Sequence, residues 1–363
     1  MKLDFLHNPY TTRRTPMLAA NGVVATGHPL AAQAGLSMLQ AGGSAVDAAL
    51  ATAAALTILE PTSNGLGSDA FALVWDGAKL HGLNGSGRAP AALTVDAVRR
   101  AGHSGMPSHG WLAVTVPGAV AAWQDLHNRF GKLPFEQVLQ PAISYAERGA
   151  PVQPIVAQNW ARGVEIVRQR RGPEFASFLD TFAPGDKTPM VGARFVSTGH
   201  ARTLRMIAEQ GADAFYKGQI AEAIVGFARE TGGLMTADDL AAHTSTWVDP
   251  ISVDYRGHTV WEIPPNGQGL TALIALGILE GFDMARLPHD SAAAYHVQIE
   301  AMKLAFADAF RYIGDPEHVD VPVAQLLDPG YHATRRALIG DTARYPEPGA
   351  FPQGGTVYLC ATD

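Results

Sequence analysis

Short apolar runs alternate along the chain with longer stretches whose apolar residues recur at helical spacing, the pattern of an α/β protein. Gly22–Thr26 (GVVAT) reads as a buried strand. Pro29–Ala41 follows as a helix, with Leu30, Ala34, Leu36 and Leu39 near one face and Gly42-Gly43 as its stop. Ser44 is placed to cap the next helix, Ala45–Leu59, which is apolar nearly all round except at Asp47 and ends at Glu60-Pro61. A helix that apolar belongs inside a layered protein. Phe71–Trp75 and Leu80–Asn84 predict two strands turning at Asp76-Gly77, and Ala113–Val116 predicts another.

Further helices are expected over Ala119–Phe130, Phe135–Arg148 (interrupted at Pro141), His200–Gln210, Gln219–Glu230, Gly269–Glu280 and Ser291–Tyr312. Thr236, with Asp239 three residues on, resembles a capping box. Val253–Tyr255 and Thr259–Ile263 flank Arg256-Gly257 as a hairpin, while Ala150–Thr198, rich in Arg and Pro, reads as a helical excursion with loops. No repeat of fixed period and no break in composition divides the chain. One large α/β unit is expected, with Leu36, Leu39, Leu56, Ile58, Phe71, Leu73, Met302 and Phe306 in its core.

Composition narrows the function classes. Among 363 residues, 47% are hydrophobic and 17% charged, which supports a packed core rather than disorder. The net charge is −7 with no basic run, so a nucleic-acid partner, which needs a clustered positive face, is disfavoured. The single cysteine, Cys360, excludes an internal disulfide framework and a cysteine zinc cage. The first 18 residues lack the apolar segment of a secretory signal, and no apolar stretch is long enough to span a membrane. A cytoplasmic protein with no membrane partner is expected.

Several segments carry possible chemistry. Asn64–Ala70 (NGLGSDA) contains a variant of the dinucleotide fingerprint, but the helix precedes the glycines and the strand follows them, the reverse of what a pyrophosphate site needs. A turn where two backbones pass closely is the better reading. His103 and His109 lie in a Gly/Ser/Pro loop without a carboxylate at ligand spacing, and Asp315, Glu317 and Asp320 lack the central glycine of a calcium loop. Neither metal nor cofactor is expected. Arg88 sits in Asn84–Pro90 (NGSGRAP) directly after a strand, where a guanidinium can take a carboxylate through two parallel hydrogen bonds or lie as an ordinary surface arginine. In Gly354-Gly355-Thr356, a hydroxyl after two glycines can attack its own preceding carbonyl, or the pair can be a plain turn before a strand. Cleavage there would expose Thr356 as an N-terminal nucleophile with its own α-amine as base.

Taken together, Gly42–Ala49 (GGSAVDAA), Asn64–Phe71 (NGLGSDAF), Val116–Val120 (VPGAV), Asp249–Gly257 (DPISVDYRG), Glu300–Asp308 (EAMKLAFAD) and Gly314–Pro316 (GDP) resemble the gamma-glutamyltransferase family of N-terminal nucleophile hydrolases, in order and spacing. The resemblance runs from about Gly22 to Asp363. It implies an α/β (α+β) fold, a four-layer αββα sandwich incomplete without a small subunit. Residues 1–355 would form the large subunit as a single domain, and 356–363 the start of the small one. Thr356 matches the family's cleavage-generated threonine, with Asp363 seven residues on as in the family's pattern, and the cleaved bond would be Gly355–Thr356. Arg88 matches the arginine that holds the α-carboxylate of a γ-glutamyl group.

The implied activity is γ-glutamyl transfer or hydrolysis of glutathione-like amides, with the small subunit of the same precursor as partner, in a heterodimer or a dimer of heterodimers. The oxyanion and remaining substrate groups would lie in that small subunit, so the chain alone is expected to be inactive. The family commonly has two further residues between this arginine and its Ala-Pro, whereas Ala89-Pro90 follows Arg88 at once. That shorter loop motivates a second substrate class, a glutaryl amide or cephalosporin side chain. A non-catalytic large-subunit-like protein is the third alternative.

Overall fold

Local capping decides where the longest early helix starts. In the computed structural model, which describes residues 16–350, Ser44 Oγ accepts the Asp47 N–H at 3.1 Å and Asp47 Oδ2 accepts the Ser44 N–H at 2.7 Å. This capping box opens the helix Ala45–Leu59. The same Oδ2 accepts the Lys132 N–H at 2.9 Å and the Leu133 N–H at 3.3 Å. One fully buried carboxylate therefore ties this helix to the link between the helices Ala119–Phe130 and Phe135–Arg148. Those two helices and Pro29–Gln40 all pack on the Ala45 helix, which is why it is apolar on every face. The Pro29 helix comes close because position 35 is glycine: a Cβ there would lie 2.8 Å from the Ala48 carbonyl oxygen.

These elements belong to the larger of two units, residues 18–71 with 83–246. The Arg- and Pro-rich excursion has its own small core within that unit, built on the helix Pro154–Arg168. Trp160 stacks edge-on against Phe195 at 4.7 Å and donates its Nε1–H to the Phe182 carbonyl at 2.8 Å. The helices Thr198–Gln210 and Gln219–Thr231 follow, and the Thr236–Asp239 capping box opens Ala237–Ala241.

Among the described residues, the other unit takes 16–17, 72–82 and 247–350. The strands Phe71–Trp75 and Leu80–Asn84 turn at Asp76, whose Oδ1 accepts the N–H groups of Ala78 and Lys79 at 2.8 Å each. Ile251–Tyr255 pairs antiparallel with His258–Glu262. Arg256 and Gly257, at φ 52° and 78°, form the two-residue turn whose twist suits a hairpin. The strained arginine is held by its N–H on Glu280 Oε2 at 2.9 Å and its guanidinium on the Phe282 carbonyl at 3.0 Å. The core centres on Gly269–Leu279, where Leu270, Ile274 and Ile278 pack against Ala301, Leu304 and Ala305 of Ala292–Tyr312 and against Tyr331 of Pro329–Arg336. No helix among the described residues is long and apolar enough to cross a membrane.

Two expected strands do not form. Gly22–Thr26 is irregular, and Ala113–Val116 is replaced by a short 3₁₀ turn at Trp111–Ala113 and a single backbone bond from the Val116 N–H to the Arg88 carbonyl. A strand needs a hydrogen-bonded neighbour, which local sequence cannot supply. Of the expected core residues, Ile58 is buried and Leu39, Leu56 and Phe306 are half-buried. Leu36, Phe71, Leu73 and Met302 are 39% to 45% exposed. Periodicity names an apolar face, not what covers it. On Ala292–Tyr312, Tyr295, Ile299, Met302 and Phe310 form such an open stripe, with Phe310 85% exposed.

Asp47→Ala removes a fully buried carboxylate that accepts three backbone N–H groups. It is expected to lower the unfolding free energy by about 2–4 kcal/mol, read as a shift of the urea midpoint. A loss below about 1 kcal/mol would contradict the role given to this carboxylate.

Candidate functional site

Three glycine-bearing segments of the larger unit converge around Arg88. The Asn64–Ala70 loop leaves the Ala45 helix and is closed by the Ser68 N–H on the Gly65 carbonyl and the Gly65 N–H on Ser68 Oγ, both at 3.1 Å. Its Ser68 carbonyl then accepts the N–H groups of Gly118 and Ala119, both at 2.9 Å. A protein carbonyl thus occupies the N-terminus of the Ala119 helix, the place a dinucleotide fingerprint would reserve for phosphate. The loop is a backbone cradle, as the order of its flanking elements implies.

The Asn84–Arg88 turn threads between these pieces. The Gly85 N–H donates to the Ala70 carbonyl at 2.9 Å, and the Ser86 N–H to Asn84 Oδ1 at 2.9 Å. A Cβ at Gly118 would collide with the Gly85 carbonyl, and one at Gly87 with the Val116 carbonyl. Two chains can pass at this distance only without side chains. The Arg88 backbone is fixed on both sides, its carbonyl accepting the Val116 N–H at 2.9 Å and the Ala91 N–H donating to Asp239 Oδ1 at 2.8 Å. The Arg88 side chain is exposed. A long cation therefore projects from a backbone held at two points.

A polar group beneath this turn was not singled out by any sequence pattern. Tyr216 donates its hydroxyl to the Pro117 carbonyl at 2.7 Å and accepts the Ala121 N–H at 3.1 Å, locking the Val116–Gly118 turn to the helix it starts. The His243 ring stacks on Tyr216 at 5.2 Å and is buried, with no hydrogen-bond partner for Nε2. Burial, and the Arg88 charge after it, hold His243 below its ordinary value of 6.5. Burial likewise pushes Asp125 and Tyr216 up. No motif joins residues 125, 216 and 243; only the fold does. The one available signal was Thr236–Asp239, whose capping carboxylate also holds Ala91 beside Arg88.

Gly355, Thr356, Cys360 and Asp363 lie outside the described residues. His103 and His109 are exposed in their loop, and Asp315 caps its own turn by accepting the Glu317 N–H at 3.0 Å. No cluster of three or more metal-ligating side chains occurs among the described residues.

Comparison with known proteins identifies the fold and the family. The structure matches a cephalosporin acylase from Bacillus halodurans at a TM-score of 0.89 and 51% identity, covering 96% of this chain and 65% of that one. It matches Helicobacter pylori gamma-glutamyltranspeptidase at a TM-score of 0.86 and 29% identity, covering 94% of this chain and all of that one. The chain has the α+β fold of the N-terminal nucleophile hydrolases. The gamma-glutamyltranspeptidase family model matches residues 31–363, and the chain belongs to that family. Among its relatives are the glutathione hydrolase-like YwrD proenzyme of Bacillus subtilis (38% identical over 87% of this chain and 59% of the relative) and the acylase ACY 1 proenzyme of Pseudomonas sp. strain SE83 (36% over 91% and 60%). The chain spans about 60% of the length of these relatives. Hydrolysis or transfer of acyl groups is the function class of the family, and its proenzymes are precursors.

Because His243 is held neutral in the fold, the unfolded chain binds more protons below about pH 6.5, and stability falls as pH drops through that window. His28, His200 and His332, also held down by burial, act in the same direction. The thermal midpoint is expected to fall between pH 7 and pH 5, and His243→Gln to reduce that fall. A variant with the wild-type pH slope would show that His243 does not titrate on unfolding.

Proposed function

We propose that the chain is the large-subunit part of an autoprocessed amide hydrolase or acyltransferase acting on amides whose acyl chain ends in a carboxylate. The observation that carries this reading is the exposed Arg88 on a backbone fixed at both sides, in a chain of this family. A guanidinium so held binds a carboxylate through two charge-assisted bonds without first paying to order its own backbone.

The chemistry proceeds in two stages. In maturation, Thr356 Oγ attacks the Gly355 carbonyl carbon, the peptide bond passes to an ester, and water cleaves it. Residues 1–355 then end in the Gly355 carboxylate and Thr356 carries a free α-amine. In turnover, Thr356 Oγ attacks the substrate amide while its α-amine takes the proton and returns it to the leaving amine. Water or an amine then resolves the acyl ester on Thr356, regenerating the hydroxyl. The large and small subunits of one precursor are partners in this scheme, and residues 1–355 act as one subunit.

Substrate choice rests on the turn after Arg88. Ala89-Pro90 follows directly and Ala91 is fastened to Asp239, so this edge of the site is short and fixed. The likeness to cephalosporin acylase and to ACY 1 acylase supports a glutaryl amide or cephalosporin side chain, and the YwrD relative supports a γ-glutamyl amide such as glutathione. Both place a carboxylate at Arg88.

In the full-length gene product, Thr356→Ala is expected to abolish both the split at Gly355–Thr356 and amide turnover. Arg88→Ala should leave the split intact and lower kcat/KM roughly 10- to 100-fold, the worth of a charged hydrogen-bonded pair. Turnover of matched γ-glutamyl and glutaryl anilides then decides the substrate. A strong γ-glutamyl preference removes the acylase reading, and an uncut, inactive wild type removes the function.

A further inference from the structure

In the unit that carries the C-terminal part of the chain, a second buried carboxylate holds backbone rather than substrate. Asp308, on the helix Ala292–Tyr312, is fully buried and pairs with Arg335 of Pro329–Arg336 at 3.0 Å. Its Oδ1 also accepts the Gly349 N–H at 2.7 Å. Arg335 donates to the Glu347 carbonyl at 2.8 Å, and the Tyr312 hydroxyl donates to the Gly349 carbonyl. Position 349 must be glycine here, because a Cβ would run into the Tyr331 hydroxyl. Three side chains from two helices thus hold a strap, residues 347–349, that has no secondary structure of its own. A pair of buried charges is a costly way to fasten a terminal strap, since apolar residues of similar volume stabilise as well or better.

What the strap leads to gives the grip its use. Gly349 lies six residues before Gly355 in sequence. We propose that Asp308, Arg335 and Tyr312 form an anchor for self-cleavage: by seating residues 347–349 they leave only a short tether before the Gly355–Thr356 bond. They are positioning residues, acting through the strap. This rests on the self-cleavage proposed above. The next backbone anchor upstream is the weaker bond from the Arg344 N–H to Glu300 Oε2 at 3.3 Å. Without the grip, the tether grows from six residues (350–355) to eleven (345–355). Closure of a flexible loop scales as its length to the power 3/2, so presentation of the bond should slow by about two- to threefold, and further if the grip also sets its direction.

The test follows precursor cleavage over time in the full-length product, on gels and by intact mass, for three variants. Asp308→Leu/Arg335→Met replaces the ion pair by apolar volume and frees both Glu347 and Gly349. Gly349→Ala unseats the strap while leaving the ion pair, and Tyr312→Phe removes one bond. Thermal midpoints are measured alongside, and each variant is also produced pre-split, residues 1–355 co-expressed with a small subunit beginning at Thr356. Slowed cleavage by at least two- to threefold in the double variant, a smaller slowing in the single ones, unchanged midpoints and wild-type turnover when pre-split would support the anchor. Wild-type cleavage rates in the double variant and in Gly349→Ala would overturn it while the self-cleavage reading stands. Loss of turnover in the pre-split form as well would also overturn it, since the cluster would then serve the folded enzyme and not its processing. A wild type that never cleaves would bring down both.

Discussion

The site in the larger unit depends on two turns passing each other with no side chain between them. Gly118 lies against the Gly85 carbonyl and Gly87 against the Val116 carbonyl. That close approach lets the Ser68 carbonyl reach the start of the Ala119 helix and fixes the Arg88 carbonyl on Val116. Glycines lose more chain entropy on folding than other residues, so the arrangement costs stability. It is offset by backbone hydrogen bonds that satisfy a helix start without a side-chain cap, and by Tyr216, which bonds both the turn and the helix. Arg88 owes its fixed origin to its neighbours' lack of bulk.

How much of this was legible follows from how local each cause is. The helices Ala45–Leu59, Ala119–Phe130 and Phe135–Arg148 begin and end where the sequence places them, because a Ser–Asp cap, a Gly start and a Pro or Gly stop act within a few residues. The Arg256-Gly257 hairpin was legible for the same reason. Gly22–Thr26 and Ala113–Val116 failed as strands because a strand is defined by a distant partner. Leu36, Phe71, Leu73 and Met302 failed as core for a related reason, since burial belongs to what lies opposite. In the site, Arg88 stood out through the glycines before it. Tyr216 and His243 did not, because Tyr216 acts through hydrogen bonds that span 95 and 99 residues of chain and His243 stacks on it.

Buried polar groups divide into two kinds of work. Asp47 gathers backbone N–H groups from separate elements, Asp308 joins the Gly349 N–H to the Arg335 guanidinium, and both act as joints. His243 gathers nothing: it is buried, stacked on Tyr216 and unpartnered at Nε2. Burial and the nearby Arg88 charge both hold its pKa below the ordinary value. The relatives include a glutathione hydrolase-like proenzyme and an acylase proenzyme, and the substrate choice proposed above rests on the short Arg88–Ala91 edge.

The open stripe on Ala292–Tyr312 has a consequence for how the chain behaves in a cell. From Tyr295 to Phe310 it runs about 22 Å along the helix, with each of its four residues at least 40% exposed. A contiguous apolar band of that length is adhesive in water. Copies produced with the band uncovered would self-associate or be held by chaperones, whereas copies whose band is covered would stay dispersed. The yield of dispersed protein would therefore report on whether a covering segment is present, before any substrate is tried.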